Sequence, residues 1–197
     1  YKNPLIALTG SNGKTTTKEL MLRVLSKKYI THATKGNLNN HIGVPLTLLG
    51  ITPQTEMAII EMGANHVGEI NELCQMAQPT HGLITNIGYA HTASFGGFEG
   101  VVRGKSELFE YLRTSHGLPF INTVDKVLAN MIKRFEEKIL YPSVDMEFVN
   151  AQPMVSYSMS KVTHQTHLLG AYNYMNIAAA YAVGTYFKVD SESLFEA

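Results

Sequence analysis

The sequence predicts a single α/β domain built on a doubly wound, mostly parallel β-sheet with flanking helices. Short apolar runs alternate with amphipathic helical segments along the chain, which is typical of consecutive β-α-β units. The chain has 197 residues, of which 45% are hydrophobic, and this is enough for one large core. We therefore treat residues 1–197 as one domain.

The first half of the chain predicts the parallel strands and the helices that connect them. Apolar runs at residues 5–8, 57–60 and 82–84 are predicted to be strands. Helical patterns are predicted at about residues 14–27 and 67–76. The first of these helices has an apolar stripe along one side, so we expect it to pack on a face of the sheet.

The second half predicts helices at about residues 99–113, 124–135 and 173–187, with a strand near Phe120. Residues 139–169 alternate between apolar and polar side chains without a clear helical pattern. Such alternation is typical of half-buried strands. We therefore expect an antiparallel edge of the sheet there.

Composition excludes several classes of protein. The 16 basic and 16 acidic side chains give a formal charge of zero, so no basic surface for nucleic acid is predicted. The single cysteine, Cys74, excludes an intrachain disulfide and fits a reducing compartment. No apolar run approaches the roughly 20 residues of a membrane helix. We expect a cytoplasmic monomer and, because the first residue is Tyr1 instead of Met, a piece of a longer protein.

A glycine-rich segment between the first strand and the first helix has the composition of a phosphate-binding loop, which indicates a P-loop type of sheet. Glycines let the backbone approach phosphates, the helix start presents free N–H groups, a lysine reaches the β and γ phosphates, and a threonine hydroxyl suits magnesium. A standard Walker motif would have glycine where this chain has Leu8. The alternative is an ordinary glycine turn with a capping Ser or Asn. The candidate nucleotide-binding residues are Thr9, Gly10, Ser11, Asn12, Gly13, Lys14, Thr15 and Thr16.

Four further segments occur in order after this loop. Residues 36–45 are Gly-Asn-Leu-Asn-Asn-His-Ile-Gly-Val-Pro, 61–65 are Glu-Met-Gly-Ala-Asn, 86–91 are Asn-Ile-Gly-Tyr-Ala-His, and 170–176 are Gly-Ala-Tyr-Asn-Tyr-Met-Asn. With the loop, they resemble the Mur ligases and the related folylpolyglutamate synthases, which form amides with ATP. The similarity is strongest to the Mur ligases that join D-alanyl-D-alanine to UDP-MurNAc-tripeptide in peptidoglycan precursor synthesis.

The resemblance implies that residues 1–197 are the central ATP-binding domain of a three-domain ligase. An N-terminal domain for the UDP-linked substrate and a C-terminal Rossmann-like domain would lie outside this chain. The reaction implied is ATP-dependent amide formation through an acyl phosphate, with two magnesium ions. In that scheme Lys14 binds phosphate, Thr15 and Glu61 hold one ion, and His91 and a carbamylated Lys105 hold the other.

Chemistry alone, without the resemblance, also suggests roles for several of these residues. Glu61 follows a buried strand, where open α/β sheets place ligand-binding groups, although it could also cap the next helix. His91 alone would suggest a hydrogen-bond donor to phosphate, because magnesium prefers oxygen ligands. The remaining histidines lack paired metal-binding spacing.

Lys105 is predicted to point into the protein. Helical spacing places it in the middle of an apolar face, where lost solvation favours the neutral amine that can react with carbon dioxide. The alternative is a lysine whose ammonium extends back to solvent along the helix. The apolar residues of that face are Val101, Val102, Leu108, Phe109 and Leu112.

Two groups of asparagines complete the candidate site. Asn173 and Asn176 share a helical face, and the resemblance implies that they contact adenine, although Asn173 could simply be a helix N-cap. We expect Asn37, Asn39 or Asn40, in a turn-prone loop, to contact the γ-phosphate or the substrate carboxylate. The sequence does not choose among these three.

Other functions stay open at this stage. The chain could belong to another Mur ligase or to a folylpolyglutamate synthase, or it could be an ATP-binding module that is inactive alone. A GTPase is disfavoured, because no Asp-x-x-Gly follows a strand and no Asn-Lys-x-Asp occurs.

Overall fold

A computed structural model describes residues 1–90 and 92–197. Its main sheet has six strands in the order β2-β3-β1-β4-β5-β6, and every neighbouring pair is parallel. Because β3 and β4 flank β1, the carboxyl ends of these three strands meet at one edge, where α/β sheets bind ligands. The strands are β1 (Leu5–Thr9), β2 (Thr31–Ala33), β3 (Met57–Glu61), β4 (His81–Ile84), β5 (Leu118–Asn122) and β6 (Ile139–Tyr141).

Helices cover both faces of this sheet. Alternate residues of β1 face opposite ways: Leu5 and Ala7 belong to the core under α2, α3 and α5, whereas Ile6 and Leu8 belong to the core under α1 and α7. The near-continuous apolar runs of β1 and β3 follow from burial on both faces. The helices are α1 (Lys14–Ser26), α2 (Gly43–Leu49), α3 (Glu69–Ala77), α4 (Thr92–Phe95), α5 (Phe98–Thr114), α6 (Lys126–Ala129), α7 (Asn173–Tyr186) and α8 (Ser191–Glu196).

The predicted antiparallel strands are confirmed, but their position differs from the expectation. Strands β7 (Met146–Ala151), β8 (Met154–Met159) and β9 (Val162–Leu169) pair only with one another, in a separate three-stranded sheet. Residues 139–141 instead join the main sheet as the parallel strand β6. Alternation predicts a strand with one buried face, but not which strand it pairs with.

The helix predicted at residues 124–135 is wrong in its length. The Asp125 carboxylate accepts hydrogen bonds from the Val127 and Leu128 amides at 2.9 and 3.1 Å, so it caps a helix of only four residues. A 3₁₀ turn at Ile132–Arg134 follows. The apolar spacing reflects burial of Met131 and its neighbours in the α5 core, which a broken helix also achieves.

The helices and strands that the sequence did not predict are short: β2, α2, α4 and α8. None of the helices in the described ranges has both the length and the apolar character that crossing a bilayer requires.

Candidate functional site

The glycine-rich loop crosses the carboxyl edge of the sheet between β1 and α1. Gly10 has a φ angle of 144° and Gly13 one of 78°. A Cβ atom on Gly10 would lie 2.0 Å from the Thr85 hydroxyl oxygen, and one on Gly13 would lie 2.6 Å from the Asn176 side-chain oxygen. Both positions therefore require glycine.

The segment that follows β4 holds this loop in place. The Ser11 amide donates to the Asn86 carbonyl at 3.0 Å. Asn86 also accepts from the Asn12 amide at 3.1 Å and donates to the Asn12 carbonyl at 3.0 Å. The Gly88 amide donates to the Ser11 hydroxyl at 2.9 Å. The sequence placed residues 86–91 in a motif but gave them no such role.

The start of α1 suits an anion. No side chain caps it, so its first amide groups and the positive end of the helix dipole are available to a ligand. The Lys14 ammonium donates to the Gly10 carbonyl at 2.9 Å and so lies across the loop. Burial lowers the pKa of Lys14, and the negative charge of Glu61 partly opposes that change.

Glu61, the last residue of β3, is only 1% exposed. Its Oε1 accepts from the Thr15 hydroxyl at 3.2 Å and from the Asn39 amide at 2.8 Å. Its Oε2 is buried and has no hydrogen-bond partner within the described part of the chain. A buried oxygen without a donor is costly. The pair of oxygen atoms from Glu61 and Thr15 is the kind of ligand set that magnesium prefers.

Glu61 does not cap the next helix, so that alternative is wrong. Glu107 of α5 holds the start of α3, accepting from the Gly68 and Asn71 amides at 2.5 and 2.9 Å. Glu69 accepts from the Asn65 amide at 2.7 Å.

A cavity of about 390 Å³ lies beside the loop. Its lining combines two lysines with asparagines, acidic groups and a histidine, so it is polar and carries both signs of charge. The sequence did not single out His41 or Glu72 in this lining. The residues are Lys14, Asn39, Asn40, His41, Gly63, Ala64, Asn65, Glu69, Glu72, Leu73 and Lys105.

Lys105 points inward, as predicted, and the alternative in which it extends to solvent is wrong. The residue is 2% exposed. Its ammonium donates to the Ala64 carbonyl at 3.2 Å and lies 5.2 Å from the centre of the Phe95 ring. Burial, followed by the positive charge of Lys14, lowers the pKa of Lys105 to about 8, although two nearby carboxylates oppose the change.

His91 lies outside the described residues, so its predicted role as a ligand of a second ion stays a prediction. Within residues 1–90 and 92–197, no group of three or more His, Cys, Asp or Glu side chains is arranged to hold a metal ion.

Asn173 and Asn176 lie in the first turn of α7, and Asn176 is next to Gly13 of the glycine-rich loop. The N-cap of α7 is Tyr172, without a side-chain bond, so the N-cap alternative for Asn173 is wrong. Asn173 donates to the Leu169 carbonyl at 2.8 Å and accepts from the Asn176 amide at 2.8 Å. The Thr17 hydroxyl donates to Asn176 at 3.1 Å. Both asparagines are buried, and contact with adenine stays a prediction.

The three loop asparagines have different surroundings. Asn39 donates to Glu61, whereas Asn40 accepts from the Ile42 and Gly43 amides at 3.1 and 2.9 Å and so fixes the start of α2. Both line the cavity. The Asn37 side chain is exposed, makes no hydrogen bond to any described residue and does not line the cavity. Asn39 is therefore the best placed of the three to act in the site.

Of the eight predicted loop residues, all of which the structure describes, Lys14 alone lines this cavity. Thr9 is fully buried, and its hydroxyl has no partner in the described ranges. Thr16 lines a different cavity of about 680 Å³ with residues of α7 and β9.

These features define a class of protein. A parallel sheet with a glycine loop leading into an uncapped helix, a lysine in the first turn and a buried carboxylate on the adjacent strand define a P-loop nucleotide-binding domain. Residues 8–184 match the family described as the Mur ligase middle domain. The chain belongs to that family.

Curated relatives from different bacteria share one enzyme name. The UDP-N-acetylmuramoyl-tripeptide–D-alanyl-D-alanine ligase of Bacillus subtilis (strain 168) is 36% identical over 195 residues, which cover 95% of this chain and 42% of the relative. The enzyme of the same name from Escherichia coli (strain K12) is 45% identical over 118 residues, covering 60% of this chain and 26% of the relative.

Solved structures agree on the fold. MurF from Acinetobacter baumannii superposes with a TM-score of 0.86 at 32% identity, over 98% of this chain and 45% of that one. MurF from Thermotoga maritima in complex with ADP gives 0.84 at 25% identity, over 100% of this chain and 49% of that one. The chain thus spans less than half of the length of these proteins.

Proposed function

We propose that residues 1–197 are the ATP-binding central domain of a three-domain ligase that joins D-alanyl-D-alanine to UDP-MurNAc-tripeptide. The observation that carries the proposal is the buried Glu61 carboxylate, which lies 3.2 Å from the Thr15 hydroxyl beside the glycine loop and has one oxygen without a partner in the described chain. The names of the B. subtilis and E. coli relatives supply the reaction, and ADP in the T. maritima structure supports the nucleotide.

In the proposed reaction the terminal carboxylate of the tripeptide attacks the γ-phosphate of ATP, giving an acyl phosphate and ADP. The amine of D-alanyl-D-alanine then displaces phosphate and forms the amide. The chain contributes positioning and charge. The start of α1 orients the phosphates, and Lys14, which is partly desolvated, stabilises the charge on the transferred group. Asn39 and Asn40, with His41, line the cavity beside it, and in this proposal the asparagines contact the γ-phosphate or the substrate carboxylate.

Magnesium would neutralise phosphate charge, with Thr15 and Glu61 holding one ion and His91 and a carbamylated Lys105 the second. The environment of Lys105 supports its modification. The described residues give it no carboxylate partner within hydrogen-bond distance, because Glu107 and Glu69 are bonded to backbone amides. At a pKa of about 8, roughly a tenth of the amine is neutral at pH 7. That amine attacks the carbon of carbon dioxide and loses one proton, which leaves a carbamate anion.

Asn173 and Asn176, at the start of α7 and beneath Gly13, are the groups proposed to lie nearest to adenine. We place the ligase in the cytoplasm as a monomer that needs neither nucleic acid nor membrane. A buried free thiol at Cys74 and an even balance of charge support this.

The test is a ligation assay on the full-length ligase that contains this chain, with Mg-ATP, UDP-MurNAc-tripeptide and D-alanyl-D-alanine. We expect phosphate release that depends on D-alanyl-D-alanine, and a product seen by mass spectrometry, both lost in Lys14→Ala. The 197-residue chain alone should bind ATP without ligating. Activity on a folate substrate in place of the UDP-linked one would contradict the proposal, and ligation by the chain alone would show that the other domains are unnecessary.

A further inference from the structure

Lys18 is a buried charge that the proposed mechanism does not use. It lies one turn after Lys14 on α1 and is 0% exposed. Its ammonium donates to the Gly36 carbonyl at 3.2 Å and pairs with the Glu19 carboxylate at 2.9 Å. A buried ammonium is costly unless it is paired and hydrogen-bonded, so its partners matter.

The Gly36 carbonyl belongs to a loop that is fixed at both ends around Glu61. At one end, the Thr34 hydroxyl accepts from the Glu61 amide at 2.9 Å. At the other, Asn39 donates to the Glu61 carboxylate at 2.8 Å, and its carbonyl accepts from the Gly63 amide at 2.7 Å.

The middle of this loop, residues 35–37, is exposed to solvent. Within the described chain, the bond from Lys18 to Gly36 is the only side-chain hydrogen bond made to these three residues. Gly36 has a φ angle of 54°, and a Cβ atom there would meet nothing within 4 Å. Packing of side chains against Gly36 therefore does not hold this conformation. The hydrogen bonds that do are the Lys18 contact and two turn bonds, from the Leu38 amide to the Lys35 carbonyl at 3.2 Å and from the Asn39 amide to the Asn37 carbonyl at 2.8 Å.

We propose that Lys18 is a positioning residue that links the phosphate-loop helix to the loop at residues 34–39, so that Asn39 is held against Glu61. The proposal rests on the proposed function in assigning magnesium to Glu61. One helix then carries both the phosphate-binding Lys14 and the lysine that orders the surroundings of the metal-binding carboxylate. The alternative is that Lys18 only fills space beside α1, without influence on Asn39.

A double-mutant cycle on magnesium dependence distinguishes a positioning role of Lys18 from a role that only fills space. The Mg²⁺ concentration for half-maximal ATP binding is measured for the wild type, Lys18→Met, Asn39→Ala and the double variant. We expect each single change to raise it about fivefold or more, and the double variant to stay within about twofold of Asn39→Ala, because both changes remove the same interaction. Multiplicative effects, or a Lys18→Met value equal to the wild type, overturn the proposal.

Hydrogen exchange without nucleotide gives a second test, which does not depend on the proposed function. Lys18→Met should speed exchange of the Gly63 and Asn39 amides about tenfold or more, whereas Lys27→Met, at the other end of α1, should leave them unchanged. If Lys18→Met does not fold, Lys18→Gln, which is too short to reach Gly36, replaces it. Unchanged exchange in a folded variant overturns the proposal, whereas a wild type without Mg-ATP binding contradicts the proposed function alone.

Discussion

Replacing Glu61 with glutamine should weaken Mg-ATP binding without destabilising the unliganded fold. The change keeps the shape of the side chain and an oxygen for the Thr15 and Asn39 donors. It also replaces the oxygen that lacks a partner in the described chain with an amide. The unliganded protein should therefore unfold at the same temperature or higher, because burying a neutral amide costs less free energy than burying a carboxylate. Binding of Mg-ATP should weaken, because the negative charge is lost.

The size of the effect follows from linkage. At a Mg-ATP concentration of about 100 times its dissociation constant, binding stabilises the wild type by about 2.7 kcal/mol. For a chain of this size that raises the unfolding temperature by about 5–10 °C. If removal of the charge weakens binding about 100-fold, the same concentration gives the variant only about 0.4 kcal/mol, or about 1 °C.

The assay is calorimetric or fluorescence-detected thermal unfolding with and without Mg-ATP. Glu56→Gln is the matched control, because Glu56 precedes the same strand at its opposite end and should leave the shift unchanged. A Glu61→Gln variant with the full wild-type shift would refute the assignment of this carboxylate to the metal.

Three further predictions concern backbone, pH and modification. Gly13→Ala should lower the free energy of unfolding in urea by about 2–4 kcal/mol, because the position has a positive φ and a Cβ atom there would clash with Asn176. Gly36→Ala, where a Cβ atom would meet nothing, should lower it by about 1 kcal/mol. Equal losses in the two variants would contradict this prediction. Burial lowers the pKa of His81 to about 4 from 6.5, so below pH 6.5 the unfolded chain takes up a proton that the folded chain does not. Stability should fall by about 2–3 kcal/mol between pH 6.5 and 4, and His81→Gln should remove that part of the profile; an unchanged profile counts against it. With ¹³C-bicarbonate, the wild type should show a carbamate resonance that Lys105→Arg lacks, and its absence from the wild type would contradict the modification.

Local patterns were sufficient to predict four strands of the main sheet, β1, β3, β4 and β5, and the glycine-rich loop. An apolar run that leads into glycines and a helix start depends on neighbouring residues only. Both β1 and α1 begin where the sequence indicated and end within one residue of the expected position. The inward direction of Lys105 followed from helical periodicity in the same way. Periodicity also held a signal for Lys18, which lies three and seven residues before Met21 and Leu25 of the buried face of α1.

Other features depend on contacts between distant parts of the chain. Asn39 meets Glu61 across 22 positions, and nothing local distinguished it from Asn37 or Asn40. The short α6 results from capping by Asp125, whose other carboxylate oxygen also accepts from the Ile87 amide at 2.7 Å. The same side chain therefore supports the segment that holds the phosphate-binding loop, a role that helix periodicity cannot indicate.

The central claim, that this chain holds ATP through its glycine loop, is tested most directly by calorimetric titration of Mg-ATP and Mg-GTP into the wild type and Lys14→Ala. We predict saturable ATP binding to the wild type, much weaker GTP binding, and at least a tenfold loss of ATP affinity in the variant. Equal ATP affinity in Lys14→Ala, or a preference for GTP, would contradict the account.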